Sequence, residues 1–204
     1  MPSRNVIKVD IPDSYYHVYA RGRGKQTIFH DDEDYRVFLN LFKRHLSRDI
    51  VADNYGAPYV HLWGEIKLIC YCLMPNHFHM LVRQENQGSM SRLMRAIIAS
   101  YTRFYNKKYN SSGSLFETTY KASRISSEAY LIHISRYIHL NPKKWRNYPY
   151  SSLYFFLHGN EPEWLSPSIV LDLHESRQSY KEFVEDYEDY KDILDNIKHE
   201  LAAE

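Results

Sequence analysis

Residues 70–82 read CYCLMPNHFHMLV, two apolar runs joined through Pro75-Asn76. Proline presets φ at the second position of a turn and asparagine tolerates the third. The runs on either side are rich in residues that favour extended backbone, so a β-hairpin is predicted here. The second run opens with two histidines two residues apart. On a strand, His77 and His79 share one face while Phe78, Met80 and Val82 take the other, which makes the second face the core side.

The rest of the chain supplies partners for that hairpin. Tyr15 to Tyr19 read as a strand that breaks at RGRGK. Asp31 to Leu46 carry acids in the first turn and then Val37, Leu39, Leu41, Phe42 and Leu46, an amphipathic helix. The stretch from Ala57 to Met74 is strand-like, and Ser89 to Tyr109 form a long helical pattern closed by NSSG. Ser114 to Ile125 alternate like a strand. A helix follows, capped by Ser126 or Ser127 and stopped by Pro142. The order β-α-β-β-α-β predicts an α+β fold, a ferredoxin-like (RRM-like) sheet with helices on one face, then a further helix. Residues 1–147 form the expected main domain. Residues 148–204 form a mostly helical C-terminal extension ending in an acidic helix from about Ser179 to Ala202, docked through Tyr180, Phe183, Tyr187 and Tyr190.

Charge is divided along the chain. The net charge is +1, yet residues 171–204 hold 11 acidic and 4 basic side chains, leaving 22 basic and 14 acidic for the remainder. A basic body with an acidic tail suits a polyanionic partner for the body. No apolar run is long enough for a membrane span, and no leader is recognisable at the start. Cys70 and Cys72 sit at strand spacing, where the extended backbone disfavours a disulfide. These features point to a reduced, cytoplasmic setting, nucleoid-associated if the polyanion is DNA.

His77 and His79, about 7 Å apart at Cα on one strand face, can share a divalent cation. Two ligands leave coordination positions for water, substrate and another side chain, a pattern of catalytic rather than structural sites.

MPNHFHMLV resembles the His-hydrophobe-His motif of the small HUH single-strand-DNA transposases. More closely, the chain is similar to their relatives, the REP-associated tyrosine transposases. YYHVYARGRG, IFHDDEDYRVFL, SLF, TYKA, RYIHLNPKKW and YPYSSLYFFL occur in the order that family uses, over roughly residues 14–172. The resemblance implies that His77 and His79 bind the metal, Mg²⁺ or Mn²⁺, and that Tyr137 is the nucleophile. Asn141, four residues on, matches the position of a further metal ligand. Among 19 tyrosines, Tyr101, Tyr105, Tyr120 and Tyr130 are not separated from Tyr137 by spacing alone. In one departure, Thr118 and Thr119 stand where the family commonly has an arginine.

The implied reaction is DNA nicking and strand transfer through a 5′-phosphotyrosine. The implied partner is single-stranded or hairpin DNA of REP-like repeats, and the protein is expected as a monomer or homodimer. A phenol with pKa about 10 needs activation. The imidazoles must be neutral to ligate, which places the acid limb of activity at about pH 6.5. Arg21, Arg23 and Lys25 in the RGRGK turn, and Arg92, Arg95, Arg103 and Lys107 on the long helix, are the candidate DNA contacts. Two other readings are a non-catalytic nucleic-acid-binding module, which has no need of His77, His79 or Tyr137, and a replication or conjugation nickase, which lacks the YIHLNP context.

Overall fold

Asp31 begins the first helix by accepting hydrogen bonds from the backbone N–H groups of Glu33 and Asp34, at 3.0 and 3.1 Å. This satisfies donors that have no partner within the helix. The computed structural model describes residues 10–186. Strand β1 (Ser14–Arg21), helix α1 (Asp32–Leu46), strands β2 (Ile66–Met74) and β3 (His77–Gln84), helix α2 (Ser89–Lys108), strand β4 (Lys121–Ile125) and helix α3 (Glu128–His139) follow one another in the expected order. Helices α4 (Leu153–His158), α5 (Ser168–Leu171) and α6 (Arg177–Glu185) complete the described chain.

The strands form one antiparallel sheet in the order β2-β3-β1-β4. Each crossover helix therefore joins two strands with a third lying between them, and β1 and β3 sit at the centre. Alternation sends Tyr16, Val18 and Ala20 of β1 and Phe78, Met80 and Val82 of β3 to the layer shared with α1 and α2. Leu81, Cys70, Cys72 and Ile125 face the other way, against Leu131, Ile134 and Ile138 of α3. A register break between Leu68 and Cys70 puts both Ile69 and Cys70 in this second layer, as a bulge does by inserting one residue. Full burial of an isoleucine such as Ile134 contributes about 1.5–3 kcal/mol.

Two strands are shorter than expected. β2 starts at Ile66 because Gly64 turns the chain at φ +77°, a conformation in which other residues are strained. β4 starts at Lys121, and upstream of it Phe116 makes a single bridge to Gly22. The extension packs into the second layer through Leu153, Phe156, Val170, Tyr180 and Val184. Its last helix starts at Arg177, two residues before the expected Ser179, with Ser176 accepting from Ser179 N–H at 3.0 Å. Tyr180 is buried and Phe183 packs beside it. Tyr187, Tyr190 and the remainder of the acidic tail lie outside the described residues.

Candidate active site

The α3 face of the sheet carries polar groups at one end. On β1, His17, Tyr19 and Arg21 share that face, and register sets Tyr19 opposite His79 and Arg21 opposite His77. Lys121 of β4 stands opposite Tyr19. Together with Tyr137 and Asn141 they line a cavity of about 470 Å³. Glu117 and Thr118, just before β4, close one side of it.

Tyr137 reaches the cavity because α3 is held from behind. Ser127 caps the helix, accepting from Tyr130 N–H at 3.2 Å. At the other end His139 is fully buried between Tyr180 and Ser152, with Nδ1 2.7 Å from the Tyr180 hydroxyl and Nε2 2.9 Å from Ser152 Oγ. Ser135 Oγ lies 3.1 Å from the same tyrosine hydroxyl. Arg136 donates to the Phe183 carbonyl at 3.1 Å and covers the Phe183 ring at 4.1 Å. Thus one side of α3 is engaged by the extension, and Tyr137 is turned to the sheet, edge-on to His17 and His79 at 5.8 and 5.5 Å between ring centres.

The helix ends at His139, so Asn141, four residues after Tyr137, lies beyond it. The chain nevertheless folds back: Asn141 N–H donates weakly to the Ile138 carbonyl at 3.4 Å. Its side chain then lies 3.1 Å, Oδ1 to Nε2, from His77 and lines the cavity together with Tyr137. His77 Nδ1 is 2.6 Å from Asn76 Oδ1. Burial lowers the pKa of His77, opposed by the contact with Asn141, and Arg21 lowers it further. Burial also holds His79 well below the usual histidine value, with smaller contributions from His17, His77 and Arg21. Both rings are therefore neutral to lower pH than an exposed histidine.

A neutral imidazole donates once. With Nδ1–H given to Asn76, His77 Nε2 presents a lone pair toward the Asn141 amide. Nε2 and the amide oxygen would be the atoms to hold a divalent cation there, and the hydrogen bond to Asn76 would fix the ring. Two neutral imidazoles and an amide oxygen thus fit a divalent cation. Among the described residues no group of three His, Cys, Asp or Glu side chains is arranged to hold a metal, so the donor set depends on Asn141. Tyr137 has its pKa raised by burial and by Tyr19, while Arg21 and Asn141 act to lower it.

Of the candidate DNA contacts, Arg21 is in the cavity. Arg23 and Lys25 are exposed on a short 3₁₀ turn at its rim. That turn is stitched to the hairpin tip, with Gly22 N–H donating to the Asn76 carbonyl at 2.9 Å and the Asn76 amide donating to the Lys25 carbonyl at 3.2 Å. Gly22 is required by its own chain, since a Cβ there would collide with the Gln26 carbonyl and the Ile28 side chain. Arg92, Arg95, Arg103 and Lys107 lie on α2, whose buried side packs in the opposite layer. Arg92 is also paired with Glu65 at 2.7 Å. The structure does not bring these four to the cavity.

The rival tyrosines are likewise elsewhere. Tyr101 donates to the Ile28 carbonyl, Tyr105 meets His30, Tyr120 meets Ser91, and Tyr130 is absent from the cavity lining. The sequence reasoning missed His17, Tyr19, Lys121 and Glu117. For the first two a signal existed: SYYHVYAR alternates, which puts His17, Tyr19 and Arg21 on one strand face.

A family model described as IS200-like transposase matches residues 11–141. Among solved structures, a REP-associated tyrosine transposase bound to a REP hairpin superposes with a TM-score of 0.52 at 13% identity, over 78% of this chain and 89% of that one. A transposase-like protein from Deinococcus radiodurans R1 aligns at 17% identity over 68% of this chain and 95% of that one, with a TM-score of 0.37. No curated protein matches the chain.

Proposed function

The chain belongs to the IS200-like transposase family, and from that membership we propose that it nicks single-stranded or hairpin DNA and transfers the cut strand through a 5′-phosphotyrosine on Tyr137. The observation that carries this reading is the convergence of Tyr137, His77, His79 and Asn141 on one cavity, with Arg21 and Lys121 on its wall. The hairpin bound by the structural neighbour supports hairpin DNA of REP type as the substrate class.

Tyr137 Oη attacks the scissile phosphorus. The Oη–P bond forms as the P–O3′ bond breaks; the phenol loses its proton to solvent and the departing 3′ oxygen takes one up. Arg21 favours the ionised phenol against the burial that disfavours it and offsets negative charge gathering on the phosphate. The edge-on contacts of the Tyr137 ring with His17 and His79 orient the phenol before attack. His77, His79 and Asn141 would hold Mg²⁺ or Mn²⁺, which would supply Lewis-acid polarisation of the scissile phosphate. Since the phosphotyrosine keeps a phosphodiester-like bond, a second 3′-OH can reverse the step and complete strand transfer. Arg23 and Lys25 hold the strand by its phosphates at the rim. The extension's grip on α3 supports attack by the tyrosine of the same chain, in a monomer, and a DNA substrate implies a nucleoid-associated protein of the cytoplasm.

The test is a labelled hairpin oligonucleotide drawn from repeats flanking the gene, incubated with Mn²⁺, Mg²⁺ or EDTA and run on a denaturing gel. A covalent protein–DNA band that needs metal and is lost in Tyr137→Phe supports the proposal. Hairpin binding with no adduct under any metal overturns it.

A further inference from the structure

His17 sits in the middle of β1 with 1% of its surface exposed. Its Nε2 lies 2.8 Å from His79 Nδ1. The two rings are 13° from coplanar with centres 5.0 Å apart. That geometry is an in-line N–H···N hydrogen bond through facing nitrogens rather than a face-to-face stack. The other ring nitrogen, His17 Nδ1, is buried without a hydrogen-bond partner among the described residues. An apolar side chain would fill the position without that unmet group, whose burial is unfavourable. Among the described residues the ring's one polar contact is with His79, so that is where its contribution lies.

We infer that His17 is a positioning residue that selects the nitrogen His79 offers to the cavity. With Nδ1 tied back to His17, only Nε2 of His79 is left to act as a ligand. His17 Nε2 then accepts the Nδ1–H of a ligating His79, as Asn76 accepts from His77 at 2.6 Å. The two strand histidines are thereby oriented by different neighbours, one by the turn and one by the adjacent strand. Tyr137 packs edge-on to His17 as well as to His79, so the same ring also sets the floor under the phenol. This inference rests on the metal reading above for its consequence, though the hydrogen bond itself exists without metal.

Two measurements test it. In metal-free wild-type protein labelled with ¹⁵N-histidine, NMR should show nitrogen–nitrogen coupling across the His17–His79 bond; its absence overturns the inference whether or not metal binds. Titration with Mn²⁺ should show affinity reduced about 10- to 100-fold in His17→Phe, as when a hydrogen-bond partner of a ligand is removed. His17→Gln, which keeps an acceptor near the Nε2 position, should recover most of that loss. Thermal melts identify a variant that fails to fold, in which case the coupling and His17→Gln decide. Equal Mn²⁺ affinity in wild type and His17→Phe, or equal loss in both variants, overturns the inference and leaves packing as the role. Coupling present in a wild-type protein that takes up no Mn²⁺ would sink the metal reading and leave the hold of His17 on His79 standing.

Discussion

Asn141 Oδ1 lies 3.1 Å from His77 Nε2, which joins the chain just past the tyrosine helix to the tip of the hairpin. Sixty-four residues separate the two in sequence. Through this contact and its place beside Tyr137 in the cavity lining, Asn141 connects the proposed nucleophile to the proposed metal site.

Removing that amide should therefore affect both. Asn141→Ala is expected to weaken Mn²⁺ binding by at least about tenfold, equivalent to about 1.4 kcal/mol. Asn141→Asp, which adds a charged oxygen ligand, should restore or tighten it. Isothermal titration of the three proteins checks the order; equal affinities would remove Asn141 from the donor set.

The anchorage of α3 should appear as stability. His139→Ala removes one buried hydrogen-bond partner from each of the Tyr180 hydroxyl and Ser152 Oγ and opens a cavity. A loss of about 2–4 kcal/mol is expected in denaturant unfolding. A change under 0.5 kcal/mol would mean the extension does not hold the helix.

The same histidine makes stability depend on pH. Burial lowers its pKa to about 3, against about 6.5 in the unfolded chain. Between those values the unfolded state binds the extra proton, so stability is complete above pH 6.5 and declines as pH falls toward 3. At pH 5 the decline from this residue is about 2 kcal/mol. Denaturant unfolding at pH 7.5 and pH 5 checks it, with His139→Gln expected to flatten part of the slope.

Much of this arrangement was legible in residues that are close in sequence. The hairpin, the shared face of His77 and His79, the first helix with its acidic start, and the β-α-β-β-α-β order all follow from local periodicity and turn chemistry. What was not legible depends on which strands become neighbours. Nothing local in SYYHVYAR says that β1 lies between β3 and β4, and only that placement brings His17 to His79 and Lys121 to Tyr19. The α2 cations illustrate the converse. Their helical spacing was read correctly, but the layer they occupy is decided by the apolar side of the helix, led by Leu93, Met94 and Ile97. His139 was visible within YIHLNP, while its anchoring role required Tyr180, 41 residues away.

The placement of the cations separates their effects on DNA. Arg21→Ala is expected to weaken hairpin binding and reduce the salt dependence by about one phosphate contact. Arg92→Ala, on the opposite layer and paired with Glu65, should change neither. Fluorescence anisotropy across a salt series distinguishes them, and equal losses would place the DNA path over α2 instead.

The central claim is that Tyr137 forms the covalent bond, and Tyr19 is its competitor in the same cavity. The direct measurement is tryptic mass spectrometry of the protein–DNA adduct after nuclease trimming. Cleavage after Arg136 and after Lys143 releases YIHLNPK, whose single tyrosine is Tyr137. A nucleotide mass on that peptide is the predicted result. The same mass on a peptide containing Tyr19, with YIHLNPK unmodified, would contradict the account.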